Sequence, residues 1–561
     1  MNLFIAYIRF FLLMASILPA VRHVLHAQDS LRPEPLVSGI RVRSVATAWP
    51  GSVRLARDPI SGDLYMMAQD GNIYSVASPF NDTTRRFMYG PADHGLTGTM
   101  GMAFAPNGAL YILANSRTGD SNSAIIKRGD PQGSGSVRTW TTVARTEPCP
   151  ISNTNFDHSY NAVAISPDGR YLYFNSGSRT DHGEVEDNGG KFPNIREVPL
   201  TSAILRVPAD AHDILVPADA NSLLSSGYLF ADGTRNNFEL EFAPNGDLIG
   251  AENSGDRDDS EELNWLQEGH HYGFPWRIGT DDTPQRNAGY DPSKDLLINH
   301  ASYAYMKGAF HNDPTYPIPP DSLAFTDPIP NIGPDAVRVR SATDGTLKSA
   351  TADAPLATFT AHRSPLGLVF DGAHAMPAEY RDDAFLISWT DGSEKSNDLL
   401  TPMLDPGQDM LQLRLRKIGD HYEAASRKIV RGFHLPIDAV IIGSKIYVLD
   451  LGGAHMIWEL DFSAAGAVPA GASSGAILSR PYPNPTSGET RFVVSVPGTQ
   501  RVVIEARDIL GNTIATLHDG IIAADAPQWV TFDGATLPDG VYIITARGET
   551  FHRSERISVV R

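Results

Sequence analysis

The chain has almost no cysteine: Cys149 stands alone among 561 residues. A lone thiol excludes an intramolecular disulfide framework and any zinc site built on cysteines, so stability has to come from packing. Positive charge is also short. Against 65 aspartates and glutamates there are 46 lysines and arginines, a formal net charge of −19. A surface of that sign repels polyanions and argues against a nucleic-acid partner. Long apolar runs are missing beyond the N-terminal stretch, and no later segment reaches the about 20 apolar residues that a spanning helix needs. Glycine and proline, by contrast, are plentiful and spread along the whole chain, at 49 and 40 residues. Both punctuate regular structure, so they fit many short strands and turns better than long helices. With 42% hydrophobic and 9% aromatic residues the chain is globular and all-β.

Residues 1–27 read as a signal peptide. Arg9 lies within the otherwise apolar FIAYIRFFLLMASIL, and Leu25-His26-Ala27 forms a cleavage-like end before Gln28. Export follows as an expectation, with no transmembrane span once the peptide is removed.

Between Arg54 and Gly453 one pattern recurs six times, an apolar strand, a turn and a second apolar strand. The copies start at Leu55, Met102, Val163, Leu240, Leu368 and Ala439, and several turn on Asn-Gly or Asp-Gly, which supply the positive φ that tight hairpins demand. Six such hairpins predict a six-bladed β-propeller over residues 28–462, with an array of β-sandwiches as the alternative. The insertions Asp181–Asn194 and Thr280–Asp353 read as polar loops at one end of its channel, where binding residues are expected.

A small-residue linker, 463–476, precedes a second domain, 477–561, whose strands RFVVSV, RVVIEARD, QWVTFD, GVYIITAR and ERISVV predict a small immunoglobulin-like β-sandwich. Its motifs run in the order Pro481-Tyr482-Pro483-Asn484-Pro485, Asp508-Ile509-Leu510-Gly511-Asn512, Leu537-Pro538-Asp539-Gly540-Val541-Tyr542 and Ile557–Arg561. In that order the domain resembles the C-terminal sorting domain of the type IX secretion system. The resemblance implies passage through the periplasm and across an outer membrane to the exterior or cell surface, with the secretion machinery as partner.

Three propeller segments carry candidate chemistry: Asp157–Asn161 with Gly177-Ser178-Arg179; Gly233–Asn237 with Glu252–Asn264 and Gly269–Pro275; and His362–Gly367. Equivalent positions before the third, fourth and fifth hairpins bring His158, Arg235 and Arg363 to one mouth of the channel. The loop with Glu252, Asp256, Asp258, Asp259, Glu261 and Glu262 offers the many oxygens a calcium ion takes, or is simply a solvated acidic loop. The run Gly-x-Arg-Asn, acidic loop, Glu-Leu-Asn and Tyr-Gly-Phe-Pro within Arg235–Pro275 resembles the glucose/sorbosone dehydrogenase family, the soluble pyrroloquinoline quinone (PQQ) sugar dehydrogenases. That resemblance implies oxidation of an aldose or related sugar hydroxyl, with hydride passing to PQQ and electrons to an external acceptor. It places His158 as the base, Arg235 and Asn236 as cofactor-binding residues, backbone carbonyls of Ser254 and Gly255 at a quinone-bound calcium, and Asp259, Glu261 and Tyr272 at a structural calcium. Arg363 joins the cofactor set through its chemistry and position, because guanidinium grips carboxylate with two parallel bonds. Two features depart from the family. Ser254-Gly255 replaces Gly-Pro, and Arg431–Asp438 stands where an Arg-x-Arg pair belongs. A non-catalytic carbohydrate- or surface-binding propeller and a calcium-dependent lactonase-like hydrolase are the alternative readings.

Overall fold

The computed structural model describes residues 32–463 and 477–560, apart from breaks at 79, 134–135, 352–353, 390–402, 406, 454, 480, 482, 497, 509–511, 524–527 and 549–550. The expected signal peptide and nearly all of the linker lie outside the described residues. The chain divides into two compact units, Met1–Gly466 and Ala467–Arg561.

All six sequence hairpins form, and each supplies the first two strands of a sheet. The first strand of each is an inner one: β1 (Ser52–Arg57), β2 (Thr99–Phe104), β3 (Val163–Ile165), β4 (Asn237–Phe242), β5 (Pro365–Phe370) and β6 (Pro436–Ile442). These six pack in sequence order, and β6 packs back on β1, so the sheets stand in a closed ring. That is the β-propeller architecture, in which radial repetition leaves few exposed edges. The ring is closed by the N-terminal strand Arg41–Thr47, which pairs antiparallel with Met456–Asp461 as the outermost strand of the sixth sheet. The fourth sheet has three strands, and the second and fifth carry extra edge strands.

The strands alternate apolar residues into the seams between sheets. One core joins Leu55, Met66, Leu110, Ile112, Ile437 and Leu449, drawn from the first, second and sixth sheets. At the centre of the ring the filling is polar. Arg54, 2% exposed, donates from Nε to Met100 O (2.8 Å), from Nη2 to Asn161 O and Phe238 O (2.8 Å each), and from Nη1 to Glu239 Oε2 (2.6 Å). One guanidinium thus satisfies groups on β2, on β4 and ahead of β3, the kind of full pairing a buried charge requires.

Each inner strand begins within four residues of a left-handed backbone turn: Gly51, Gly98 and Gly233 ahead of β1, β2 and β4, and Ser159 (φ 57°), Ser364 (φ 54°) and Leu435 (φ 68°) ahead of the others. Side chains in that conformation carry strain, and such residues cluster where a scaffold presents function.

The second unit is two antiparallel sheets, one built on Glu489–Ser495 and Gln528–Asp533, the other on Gln500–Arg507, Thr513–Ile522, Gly540–Gly548 and His552–Val559. Phe492, Val494 and Phe532 from the first meet Ile504, Ile544 and Ile557 from the second in one buried core. Tyr482, Ile509–Gly511 and Arg561 of its sequence motifs lie outside the described residues. No helix among the described residues is long and apolar enough to cross a membrane.

Candidate active site

Three of the inner strands begin side by side. In the turn entering β3, Asn161 Nδ2 donates to Asn236 Oδ1 (3.1 Å), and Ser178 N donates to Arg235 O (2.7 Å). Asn253, at the exit of the fourth sheet, donates from N to Asn236 O (3.1 Å) and from Nδ2 to Pro365 O (3.3 Å), the first residue of β5. The segments carrying His158, Arg235 and His362–Ser364 therefore do meet at one end of the ring. Their side chains play different parts.

His158 is half-buried, and its backbone runs so close to Gly177 that a Cβ there would collide with His158 Cβ. Its Nδ1 lies 3.1 Å from Ser178 Oγ and 3.3 Å from Ser178 O. The carbonyl can only accept, and the Ser178 hydroxyl spends its proton on Thr180 O (2.8 Å). With these two partners His158 Nδ1 carries the ring proton and the lone pair lies on Nε2; the Phe156 backbone also bears on the ring. Burial, and then the charge of Arg235, push its pKa down to about 3. The imidazole is neutral at every ordinary pH, competent to accept a proton.

Arg235 is 4% exposed. Four of its five N–H groups have partners among the described residues: Nε with Asp181 O (3.0 Å), Nη1 with Asn253 O (3.1 Å) and Ser254 O (2.6 Å), and Nη2 with Asp181 Oδ1 (2.8 Å). That leaves one Nη2–H without a partner of this kind among the described residues. Asp181 is fully buried and also lies 2.7 Å from His182 Nδ1, an ion pair out of line for a hydrogen bond. Burial works against the charges of this pair, yet Asp181 is held below the usual carboxylate range by His182 and Arg235, and His182 is raised by Asp181. The insertion expected to be a polar loop is, over Asp181–Glu184, interior.

Arg363 faces away from the site. It is fully buried, donating from Nη1 to Asp405 Oδ1 (2.6 Å) and from Nη2 to Ser388 Oγ (3.2 Å) and Asp409 Oδ1. A guanidinium closed in by two carboxylates does not grip a ligand, which corrects the expectation from its position. Its neighbours in sequence turn the other way. His362 Nε2 lies 2.7 Å from Asp258 Oδ1. Burial opposes its protonation, but Asp258, Glu261 and Asp256 outweigh that and raise its pKa to about 9, so it is an imidazolium.

The acidic loop does not fit calcium, which takes six to eight oxygens around one point. Its carboxylates diverge. Asp256 Oδ2 accepts from Ala304 N (2.8 Å), Asp258 is held by Arg340 (2.5 Å) as well as His362, Asp259 pairs with Arg257, and Glu262 accepts from Gly279 N (2.5 Å) and Asn264 Nδ2 (2.9 Å). Glu261 Oε1 lies 3.3 Å from Ser364 N and 3.5 Å from Ser254 Oγ, and burial raises its pKa to about 7. The Ser254 carbonyl is taken by Arg235, and Gly255 lies against the Asp181 carboxylate. Tyr272, 1% exposed, is a packing residue whose hydroxyl donates to Trp265 O (2.5 Å) and accepts from Gln267 N (2.8 Å). No group of three His, Cys, Asp or Glu side chains suited to a metal occurs among the described residues. Asp258 and Asp259 are paired instead with Arg340, His362 and Arg257 of the protein itself, while burial raises the pKa of Asp256, Glu261 and Glu262.

Next to Tyr272, His271 is a buried neutral ring: Nδ1 accepts from Gly273 N (3.0 Å), and burial lowers its pKa to about 4. The unfolded chain binds a proton at this residue near pH 6.5 while the folded chain does not, so stability falls as pH drops from about 6.5 to 4 and is level above. His271→Gln should flatten the decline of melting temperature over that window. An unchanged slope in the variant would discard the assignment.

Sequence reasoning missed Asp181, His182, Ser178 as a ring-fixing residue, and Asn253 as the tie between sheets. Asp181-His182 follows closely on the Gly177-Ser178-Arg179 already singled out, and an acid directly beside a histidine was the available signal.

No curated protein sequence matches the chain. Among solved structures it is similar to the soluble aldose sugar dehydrogenase from Escherichia coli in its apo form (14% identity, 75% of this chain and 99% of that one, TM-score 0.48). It is also similar to the PQQ-bound aldose sugar dehydrogenase from Streptomyces coelicolor (16%, 76% and 99%, TM-score 0.43) and to the holo PQQ domain of pyranose dehydrogenase from Coprinopsis cinerea (12%, 76% and 97%, TM-score 0.46). The stretch from the first hairpin turn through His158, Arg235 and the acidic loop, residues 60–295, matches the sequence model of the family described as Glucose / Sorbosone dehydrogenase.

Proposed function

We propose that the propeller is an exported sugar dehydrogenase of the glucose/sorbosone type, oxidising a hydroxyl of an aldose or related sugar. The observation that carries this reading is His158: within the family-matched span, one imidazole has its Nδ1 proton held by Ser178, which puts the ring lone pair on Nε2. A base that takes the hydroxyl proton is what such an oxidation requires of the protein. PQQ, when bound, supplies the hydride acceptor. The groups of this chain suited to hold its carboxylates are the remaining Nη2–H of Arg235 and the Asn236 side chain, since Arg363 is closed off. Reconstitution tests this directly. The purified chain mixed with PQQ should acquire a quinone absorbance that sugar bleaches and that an artificial dye acceptor restores. Failure to take up PQQ would remove the oxidoreductase reading.

The reading includes export through a signal peptide over residues 1–27 and type IX sorting through 477–561, with an external electron acceptor as a further partner. It is supported by the order of motifs in the second unit. Deleting residues 477–561 should leave a folded propeller retained in the periplasm, measured by fractionating cells; normal release of the truncated chain would defeat the sorting role.

A further inference from the structure

Four oxygens converge on one guanidinium. Asp181 O, Asp181 Oδ1, Asn253 O and Ser254 O lie 2.6–3.1 Å from the nitrogens of Arg235. They come from two separate segments, the loop after the second strand of the third sheet and the exit of the fourth sheet. Three backbone carbonyls and a carboxylate make a hard donor set of the kind a divalent cation takes. Here the fixed geometry serves an arginine. The approach is made possible by Gly255, where even a methyl group would stand 3.1 Å from the Asp181 oxygens, and by Asp256 N, which donates to Asp181 Oδ2 (3.2 Å). A calcium ion bound at the Ser254 carbonyl would have to displace this guanidinium or sit against it.

We propose that Arg235 is the resident cation of this oxygen cage, so that the chain supplies by a tethered side chain the charge for which a metal-dependent site needs an ion. The proposal goes beyond sugar oxidation and holds whether or not the chain oxidises sugar. It turns on charge and geometry: a planar guanidinium with forked donors satisfies several oxygens at once, and being covalently attached it cannot be removed by a chelator. Taking it away leaves three inward carbonyls and a carboxylate whose other cationic partner is His182, a donor set for a small cation.

The test uses the full chain. After dialysis against EDTA the wild type should keep its melting temperature and contain no stoichiometric calcium, and about 5 mM calcium should not raise its melting temperature, because an ion stabilises only a fold that binds it. Arg235→Ala should melt lower, and calcium or methylguanidinium added at that concentration should recover part of the loss. Arg235→Lys, which keeps a charge in the cage, should stay indifferent to calcium and covers the case in which the alanine variant does not fold. A wild type that loses stability with EDTA and regains it with calcium overturns the proposal. So does a foldable alanine variant that neither cation stabilises, or a lysine variant that gains as much from calcium as alanine does.

Discussion

Replacing Arg363 with methionine should destabilise the propeller by about 3–5 kcal/mol, the range for removing one partner of a buried charge network. The guanidinium lies beneath the whole fifth sheet. It leaves the chain just ahead of β5, meets Ser388 at the end of the second strand and Asp409 at the start of the third, and shares Asp405 and Asp409 with Lys428 of the fourth. Two carboxylates face two cations, and none of these side chains is more than 15% exposed. Methionine keeps much of the volume but leaves two acids against one ammonium. The pH dependence follows from Asp405. Burial opposes its ionisation, yet Arg363 and Lys428 hold its pKa below the ordinary value. In the wild type that depression contributes stability above the unfolded pKa and is lost as pH falls. The variant has lost most of it already, so the gap between the two should be full from neutrality down to the unfolded pKa of 3.8 and narrow only as pH falls below it. Denaturant melts across that range measure it. A loss below about 1 kcal/mol at pH 7 would mean that Arg363 is solvated in the native protein, and the position read from sequence would regain its claim on a ligand.

The repeat was legible because it is local. Alternating apolar residues around a turn need no partner elsewhere in the chain, and all six hairpins stand where the pattern put them. The closing strand was not, because Arg41–Thr47 finds its partner Met456–Asp461 at the other end of the propeller. The same division runs through the site. Position ahead of the inner strands put His158, Arg235 and Arg363 at one mouth, and their segments do meet there, but the direction of a side chain depends on a single residue of backbone phase. His362 and Ser364 sit in left-handed conformations and turn to the acidic loop, while Arg363 between them turns into the sheet. Charge was the hardest to read. A run of acids looks like a calcium loop or a solvated one until its partners are known, and Arg340 and His362 come from 82 and 104 residues away. Asp181 looked like part of a polar insertion for the same reason, one of its two cationic partners being 54 residues downstream.

His158→Gln should lower sugar turnover by about 10²–10⁴-fold while leaving PQQ uptake intact, since general-base catalysis contributes on that order and the groups proposed to hold the PQQ carboxylates are on Arg235 and Asn236. Glutamine can keep a hydrogen bond to Ser178 but has no nitrogen lone pair to accept a proton. Ser178→Ala supplies the companion measurement. It removes the hydroxyl acceptor of Nδ1 while the Ser178 carbonyl remains, so the tautomer is less firmly fixed and the loss should be smaller, about tenfold. The pH profile separates this account from a solvated histidine. With its pKa near 3, set by burial and by Arg235, His158 imposes no acid limb on kcat/KM between pH 5 and 8. A wild-type limb near pH 6.5 that vanished in His158→Gln would show an imidazole titrating as if in water, and would overturn a base kept neutral by its surroundings. Full turnover in the glutamine variant, with quinone still bound, would leave the oxidation standing and move the base to another residue.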